Sequence, residues 1–249
     1  MADLSAARFA QGMTFDQYAA YIGTPENLAR EGSTLAGSAP RRDWSAYLRE
    51  RYAKAKLTEA ETAAIKALAA QPNGPANLLV ISEDWSSDCR RDVPYLQRLA
   101  DAGGMELRIF NRDGAKLPKG GRPDPSASPN ADLMLAYMNV RKDGTFASIP
   151  VAAFFDRDFQ ELYRYVEFPA VYHKDLLVQK IRGPRPGETE EQTKARGGRE
   201  FFAMFDTPFY DVWAHAALAE IISGLHGRLL GGVGGPELWG PPRSTVPRG

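Results

Sequence analysis

The stretch Gln71-Pro72-Asn73-Gly74-Pro75 constrains the chain more than any other feature, because two prolines and a glycine in five residues cannot continue a helix. The hydrophobic period differs on its two sides. Before it, Thr14 to Ile22, Thr24 to Arg30, Asp43 to Lys56 and Thr58 to Gln71 each open near a capping residue and are predicted to be helices. In the last of these, Thr58 and Glu61 form a capping box, and Ala63, Ile65, Leu68 and Ala69 fall broadly on one face. After it, Asn77-Leu78-Leu79-Val80-Ile81 is a short continuous apolar run between turn signals, which predicts a strand buried on both faces of a sheet.

The pattern then alternates. Arg90 to Ala102 has helical spacing in Val93, Leu96, Leu99 and Ala100, and Gly103-Gly104 stops it before a second strand at Met105 to Phe110. Strand, helix and strand in that order predict a right-handed parallel crossover. Residues 111 to 129 read as a loop rich in Gly, Pro, Lys and Arg, and Ala131 to Asn139 as a further helix. Val151 to Phe155 and Glu161 to Val166 flank Asp156-Arg157-Asp158 and predict an antiparallel hairpin. Helix is expected at Pro169 to Ile181 and over Thr189 to Leu230, with breaks at Gly197-Gly198 and Pro208. The expected organisation is an N-terminal helical extension (1–74), an α/β domain (75–182), a C-terminal helical region packed on the core (183–230) and a Gly/Pro-rich tail (231–249) expected to be mobile or draped over the surface.

Charge narrows the partners. Thirty-one basic side chains balance thirty-one acidic ones, so no general field draws the chain to nucleic acid or to an anionic membrane, and neither is expected as a partner. No apolar run is long enough to cross a bilayer, and Met1-Ala2-Asp3-Leu4-Ser5 lacks the basic start and apolar stretch of a secretory signal, so the expected location is cytoplasmic. The single cysteine, Cys89, cannot close a disulfide within the chain, which agrees with a reducing compartment.

Around that cysteine several features coincide: a strand leading to Trp85-Ser86-Ser87-Asp88-Cys89, a helix beginning there, Pro94 five residues beyond, and Ser148-Ile149-Pro150-Val151 ahead of a later strand. Over roughly residues 75 to 182 this resembles the thioredoxin family, whose motif is Trp-Cys-x-x-Cys at a helix start with a proline bending that helix. The Pro/Gly-rich insertion at 111 to 129 and the added N-terminal helices bring it closer to bacterial thioredoxin-like proteins with Trp-Cys-x-Asp-Cys. The resemblance implies a central mixed sheet flanked by helices, a cis proline at Pro150, catalytic positions at Ser86 and Cys89, and substrate contacts at Trp85, Ser87, Asp88, Ile149 and Pro150. It implies no cofactor and no metal, and a protein or a small thiol or disulfide as substrate; it implies no particular oligomeric state.

The chemistry of that motif makes position 86 decisive. In such proteins the first thiol sits at the helix start, where the dipole and free N–H groups stabilise an attacking thiolate, and the second resolves the mixed disulfide. A serine hydroxyl neither ionises appreciably at neutral pH nor forms a disulfide. Cys89 falls at the resolving position, which in the family is largely buried, so a slow nucleophile is expected there. Ser86 and Ser87 also suit helix capping. Two origins of Ser86, a natural degeneration of the motif and a cysteine-to-serine substitution made to trap substrates or prevent oxidation, stay open. Thioredoxins also carry a buried acid six positions before the first cysteine, where this chain has Val80; Glu83 and Asp84, charged residues at a strand end, are expected to be solvated.

Other candidates carry less. His173, His215 and His226 are scattered without a metal-binding spacing and are expected at the surface or in packing. A Ser-His-Asp hydrolase built on Ser86 or Ser87 lacks the Gly-x-Ser-x-Gly elbow. Arg112, Lys116, Lys119 and Arg122 either form a basic lip beyond the carboxyl ends of the strands or lie in a solvated loop, the second being the expectation. The aromatic run from Phe201 to Trp213 is expected to be core. The expected function is a thioredoxin-like thiol-disulfide oxidoreductase impaired by Ser86; the alternatives are a redox-inactive peptide- or protein-binding module and a monothiol protein acting through Cys89.

Overall fold

A computed structural model of the chain describes residues 4–30, 41–114 and 123–230. The N-terminal part is helical: α1 (Ala6–Phe9), α2 (Phe15–Tyr21), α3 (Pro25–Leu28), α4 (Ser45–Lys54) and α5 (Glu59–Ala69). The start signals act as expected. At α5 the Glu61 amide donates to Thr58 Oγ1 at 3.1 Å while the Thr58 amide donates to Glu61 Oε2 at 2.7 Å, so two otherwise orphaned donors are satisfied reciprocally. Thr14 and Gln17 repeat the arrangement at α2.

Beyond the Pro/Gly break come β1 (Asn77–Ser82), α6 (Ser87–Gly103) and β2 (Glu106–Asn111). Every residue of β1 is buried, because it is a central strand: β2 pairs with it in parallel (Val80 opposite Ile109) and a later strand pairs with it antiparallel. Gly104 ends α6 in the left-handed conformation, φ 66°, which glycine adopts without penalty. The N-terminal segment guards the β2 edge: Met13 exchanges two backbone hydrogen bonds with Ile109. Gly12 permits that approach, since a Cβ there would meet Arg108 Cβ and the Phe110 ring at 2.7 Å.

Next come α7 (Ala131–Ala136), β3 (Asn139–Arg141) and β4 (Gly144–Phe146), a small separate hairpin. The helix expected to reach Asn139 stops at Ala136, because Asn139 and Val140 join this hairpin around the Asp143-Gly144 turn signal. Then β5 (Val151–Phe155) and β6 (Glu161–Val166) complete a four-stranded mixed sheet of order β2-β1-β5-β6. The chain finishes with a 3₁₀ turn (Ala170–Tyr172), α8 (Lys174–Arg182), α9 (Glu190–Ala203) and α10 (Pro208–Leu230). The break expected at Gly197-Gly198 does not occur. α9 runs through it, and Gly197 lies so close to Arg182 that a Cβ would stand 3.1 Å from its Cα; here glycine serves helix-to-helix approach rather than chain reversal. The break at Pro208 does occur.

The buried faces of α2, α4 and α5 (Tyr18, Leu48, Ile65 and Leu68 among them) share one apolar core with β1, β2, β5, β6 and α6. Helix α10 packs on α5, α6 and β6 and adds Ala214, Ala217, Leu218, Ile221 and Leu225 to that core. A second, separate cluster contains Tyr172, Phe201, Met204, Phe205, Tyr210 and Trp213, so part of the aromatic run is interior, whereas Phe202, Phe209 and Val212 are exposed on its outer side. The tail at 231–249 lies outside the described residues.

Candidate active site

Strand β1 delivers the chain to the start of α6, and what happens there follows from Ser86. It is the N-cap residue, with extended backbone, and its Oγ accepts from the Cys89 amide at 3.4 Å. Cys89 is 2% exposed. Burial pushes its thiol up to about 11, against the opposing pull of hydrogen bonds with Ser82, the Glu83 backbone and Ser86. The Ile149–Pro150 peptide is cis, and because Val151 pairs with Ile81, Pro150 stands at the carboxyl end of β1, where α6 begins. The structure thus brings Ser86, Cys89, Ile149 and Pro150 to one end of the sheet.

The remaining motif residues are held by neighbours. Trp85 is half-buried; its indole N–H donates to Asp113 Oδ2 at 3.0 Å, and the Arg112 guanidinium lies 5.1 Å from its ring centroid. Arg112 also donates to the Ala147 carbonyl at 2.9 Å, which ties the Trp85 side of the site to the segment before Pro150. It therefore lines the site instead of lying in a solvated loop, whereas Lys116, Lys119 and Arg122 lie outside the described residues. Ser87 gives its carbonyl to the Tyr210 hydroxyl at 2.7 Å. Asp88 is bound by Arg91 at 3.1 Å and, through its other oxygen, by Lys174.

Glu83 and Asp84 are not solvated; both are buried. Arg30 reaches Glu83 Oε1 at 2.6 Å, Arg41 reaches Glu83 Oε2 at 3.0 Å and Asp84 Oδ1 at 2.6 Å, and the Asp113 amide donates to Glu83 Oε1 at 2.8 Å. Burial, reinforced by the Asp113 charge, pushes the Glu83 carboxyl up to about 7, with Arg30 and Arg41 pulling the other way. Burial also raises Asp84, against Arg41. An acid at a strand end is ordinarily solvated, and arginines 42 to 53 positions upstream, with the Asp113 amide 30 positions downstream, reverse that here. Beside Cys89 lies a void of about 10 Å³, room for one water molecule, lined by Tyr18, Ser82, Glu83, Asp84 and Arg90 among others.

A thioredoxin family model matches residues 38–117, a span that takes in β1, the motif, α6 and β2. That part of the chain is similar to thioredoxin. Two solved structures are similar to it at 19% identity and a TM-score of 0.47: a protein of unknown function from Pseudomonas aeruginosa, matched over 90% of this chain and 98% of that one, and an HIV epitope scaffold, matched over 90% and 99%. No curated protein matches. Two of the histidines lie on α10, outside the α/β domain. His215 faces Glu61 at 2.9 Å and the edge of Tyr95, His226 is exposed, and neither Ser86 nor Ser87 has a histidine partner among the described residues. No group of three or more His, Cys, Asp or Glu is placed to hold a metal among the described residues, and no described helix is long and apolar enough to cross a membrane.

Proposed function

We propose that the chain is built as a thiol-disulfide oxidoreductase whose exchange chemistry is stalled at its first step by Ser86. One observation carries this reading: residue 86 caps α6 at the carboxyl end of β1, opposite Pro150, with Cys89 one helical turn inside. A thiolate at 86 would attack a disulfide sulfur, expel one thiolate and form a mixed disulfide. Cys89, once deprotonated, would displace the second thiolate and leave an 86–89 disulfide, so that two electrons pass to the substrate. With an oxygen at 86 the first bond cannot form.

The burial of Cys89 weighs against the monothiol alternative. A thiol pushed up to about 11 carries very little thiolate at pH 7 and is shielded from a partner's sulfur. The peptide-binding alternative keeps the groove, but part of the main chain it would offer is engaged: Arg112 holds the Ala147 carbonyl and the Glu167 amide holds that of Pro150.

Reduction of insulin and of a small dialkyl disulfide, with dithiothreitol as terminal reductant, separates the readings. The expected result is no turnover by the chain as it stands and turnover by Ser86→Cys. Inactivity of both on both substrates favours the binding role, and activity of both overturns the assignment of position 86.

A further inference from the structure

Ser86, Ser87 and Asp88 are 6%, 8% and 1% exposed, which is incompatible with direct approach of a substrate to a motif that must meet one. What lies on Ser87 and Asp88 is the segment from 168 to 213. Tyr210 holds the Ser87 carbonyl, Lys174 holds Asp88, and the Tyr172 ring centroid stands 5.0 Å from the Arg91 guanidinium. We propose that residues 168–213 form a cap that closes over the start of α6 and lifts to admit a substrate; this rests on reading residue 86 as the substrate-facing position.

Three features support a part that moves as a unit. The cap carries its own apolar cluster, in which Tyr172 stacks on Trp213 at 4.0 Å and Phe205 meets Tyr210 at 5.1 Å, separate from the core that holds the sheet. The cap meets α4 and α6 through Arg51 and Tyr95 on Asp211, Phe205 on Arg90, Phe202 on Trp44 and Tyr172 on Arg91, while its contacts with the turn itself are polar and single, one hydroxyl on Ser87 and one ammonium on Asp88. Water can replace these last two on opening, unlike interdigitated side chains. At the entrance to the cap, Glu167 and His173 hold φ of 68° and 45°, in the left-handed region that non-glycine residues rarely occupy, and they bracket the 3₁₀ turn that carries Tyr172. The C-terminal end is the opposite case, because from Ala214 onward α10 belongs to the main core. The cap is therefore hinged within α10, between Trp213 and Ala214, with Tyr210 on the side that lifts.

The test is alkylation of a single thiol at position 86. In the Ser86→Cys/Cys89→Ala variant, iodoacetamide should react about 100-fold more slowly than with the same chain in 8 M urea, compared at a pH where the thiol is ionised. Adding Tyr210→Phe and Lys174→Met should accelerate the native reaction about 10-fold with an unchanged far-UV circular dichroism spectrum, the effect of losing one or two polar ties. Equal rates with and without those two changes, or native reactivity near that of the unfolded chain, overturn the cap. The unmodified chain supplies an independent measurement: amides of α8 and α9 should exchange at least about 10-fold faster than those of β1 and α6, and uniform exchange overturns the proposal. Alkylation reads access alone, so if Ser86→Cys fails to reduce disulfides while the Ser86→Cys/Cys89→Ala thiol gains reactivity when the cap is weakened, the redox reading falls and this one stands.

Discussion

The two flanks of the active-site turn are held by charge networks of opposite design. Before the turn, Glu83, Asp84 and Asp113 meet Arg30 and Arg41, with Arg112 on the other oxygen of Asp113, and burial, reinforced by the neighbouring Asp113 charge, pushes Glu83 up to about 7. After the turn one fully buried arginine organises everything. Arg91 forks onto both oxygens of Asp92 at 2.6 and 2.8 Å and reaches Asp88, whose second oxygen takes Lys174, while the Tyr165 hydroxyl donates to Asp92. The first network has an acid that can shed its charge; the second depends on a cation that cannot. The upstream flank should therefore respond to pH up to about 7, through Glu83, and the downstream flank, where Asp92 titrates lower, chiefly to loss of a single residue.

The largest effect is expected from Arg91. Arg91→Met strands two buried carboxylates, a change that typically costs about 3–5 kcal/mol, and urea unfolding should show a loss of that size. Adding Asp88→Asn and Asp92→Asn should restore much of it, because the cost is the uncompensated charge. Arg41→Met is the matched experiment upstream. Its penalty should be smaller at pH 6 than at pH 8, since Glu83 can take up a proton at the lower pH. Equal, pH-independent losses at the two arginines would erase the contrast between the flanks.

The second effect is the pH dependence itself. A carboxyl raised from 4.5 in the unfolded chain to about 7 in the fold binds more protons folded than unfolded between those values. Its contribution is thus fully present below pH 4.5 and is lost as pH rises through 7, by about 3 kcal/mol at 1.36 kcal/mol per pK unit. Asp92, pushed up to about 6 chiefly by burial, acts in the same direction over a lower window. Melting temperature should fall between pH 5 and pH 8, and Glu83→Gln should flatten the upper part of that slope while leaving the part due to Asp92. An unchanged slope in Glu83→Gln would place the titration elsewhere.

The turn and the networks on its two flanks differ in how far the sequence announces them. The local grammar around the turn is legible, because the apolar run of β1, the serine cap, the helical spacing of α6 and the Ile149-Pro150 element each act over a few residues. The burial of Cys89 is legible only through the resemblance, whose resolving position is largely buried. The ion networks are not local. Glu83 depends on Arg30 and Arg41, and Asp88 on Lys174, 86 positions away, and nothing in periodicity or capping connects such residues. The Gly197-Gly198 reading failed similarly, since a helix breaker and a helix contact look alike until the facing helix is known.

The smallest effect tests the residue between the two networks. Ser86 Oγ satisfies one free amide of α6 at 3.4 Å, the long end of a hydrogen bond, so Ser86→Ala should cost about 1 kcal/mol and no more. It should also move the Cys89 thiol slightly further up, because the Ser86 hydrogen bond is one of the influences lowering it; a pH titration of thiol reactivity reads that shift. Neither flank needs this hydroxyl for its own pairing, so the change should leave the pH slope of stability and the Arg91→Met penalty as they are. If Ser86→Ala instead altered both, the cap residue would join the flanks into one cooperative unit, and the division between a protonatable upstream side and a cation-dependent downstream side would have to be abandoned.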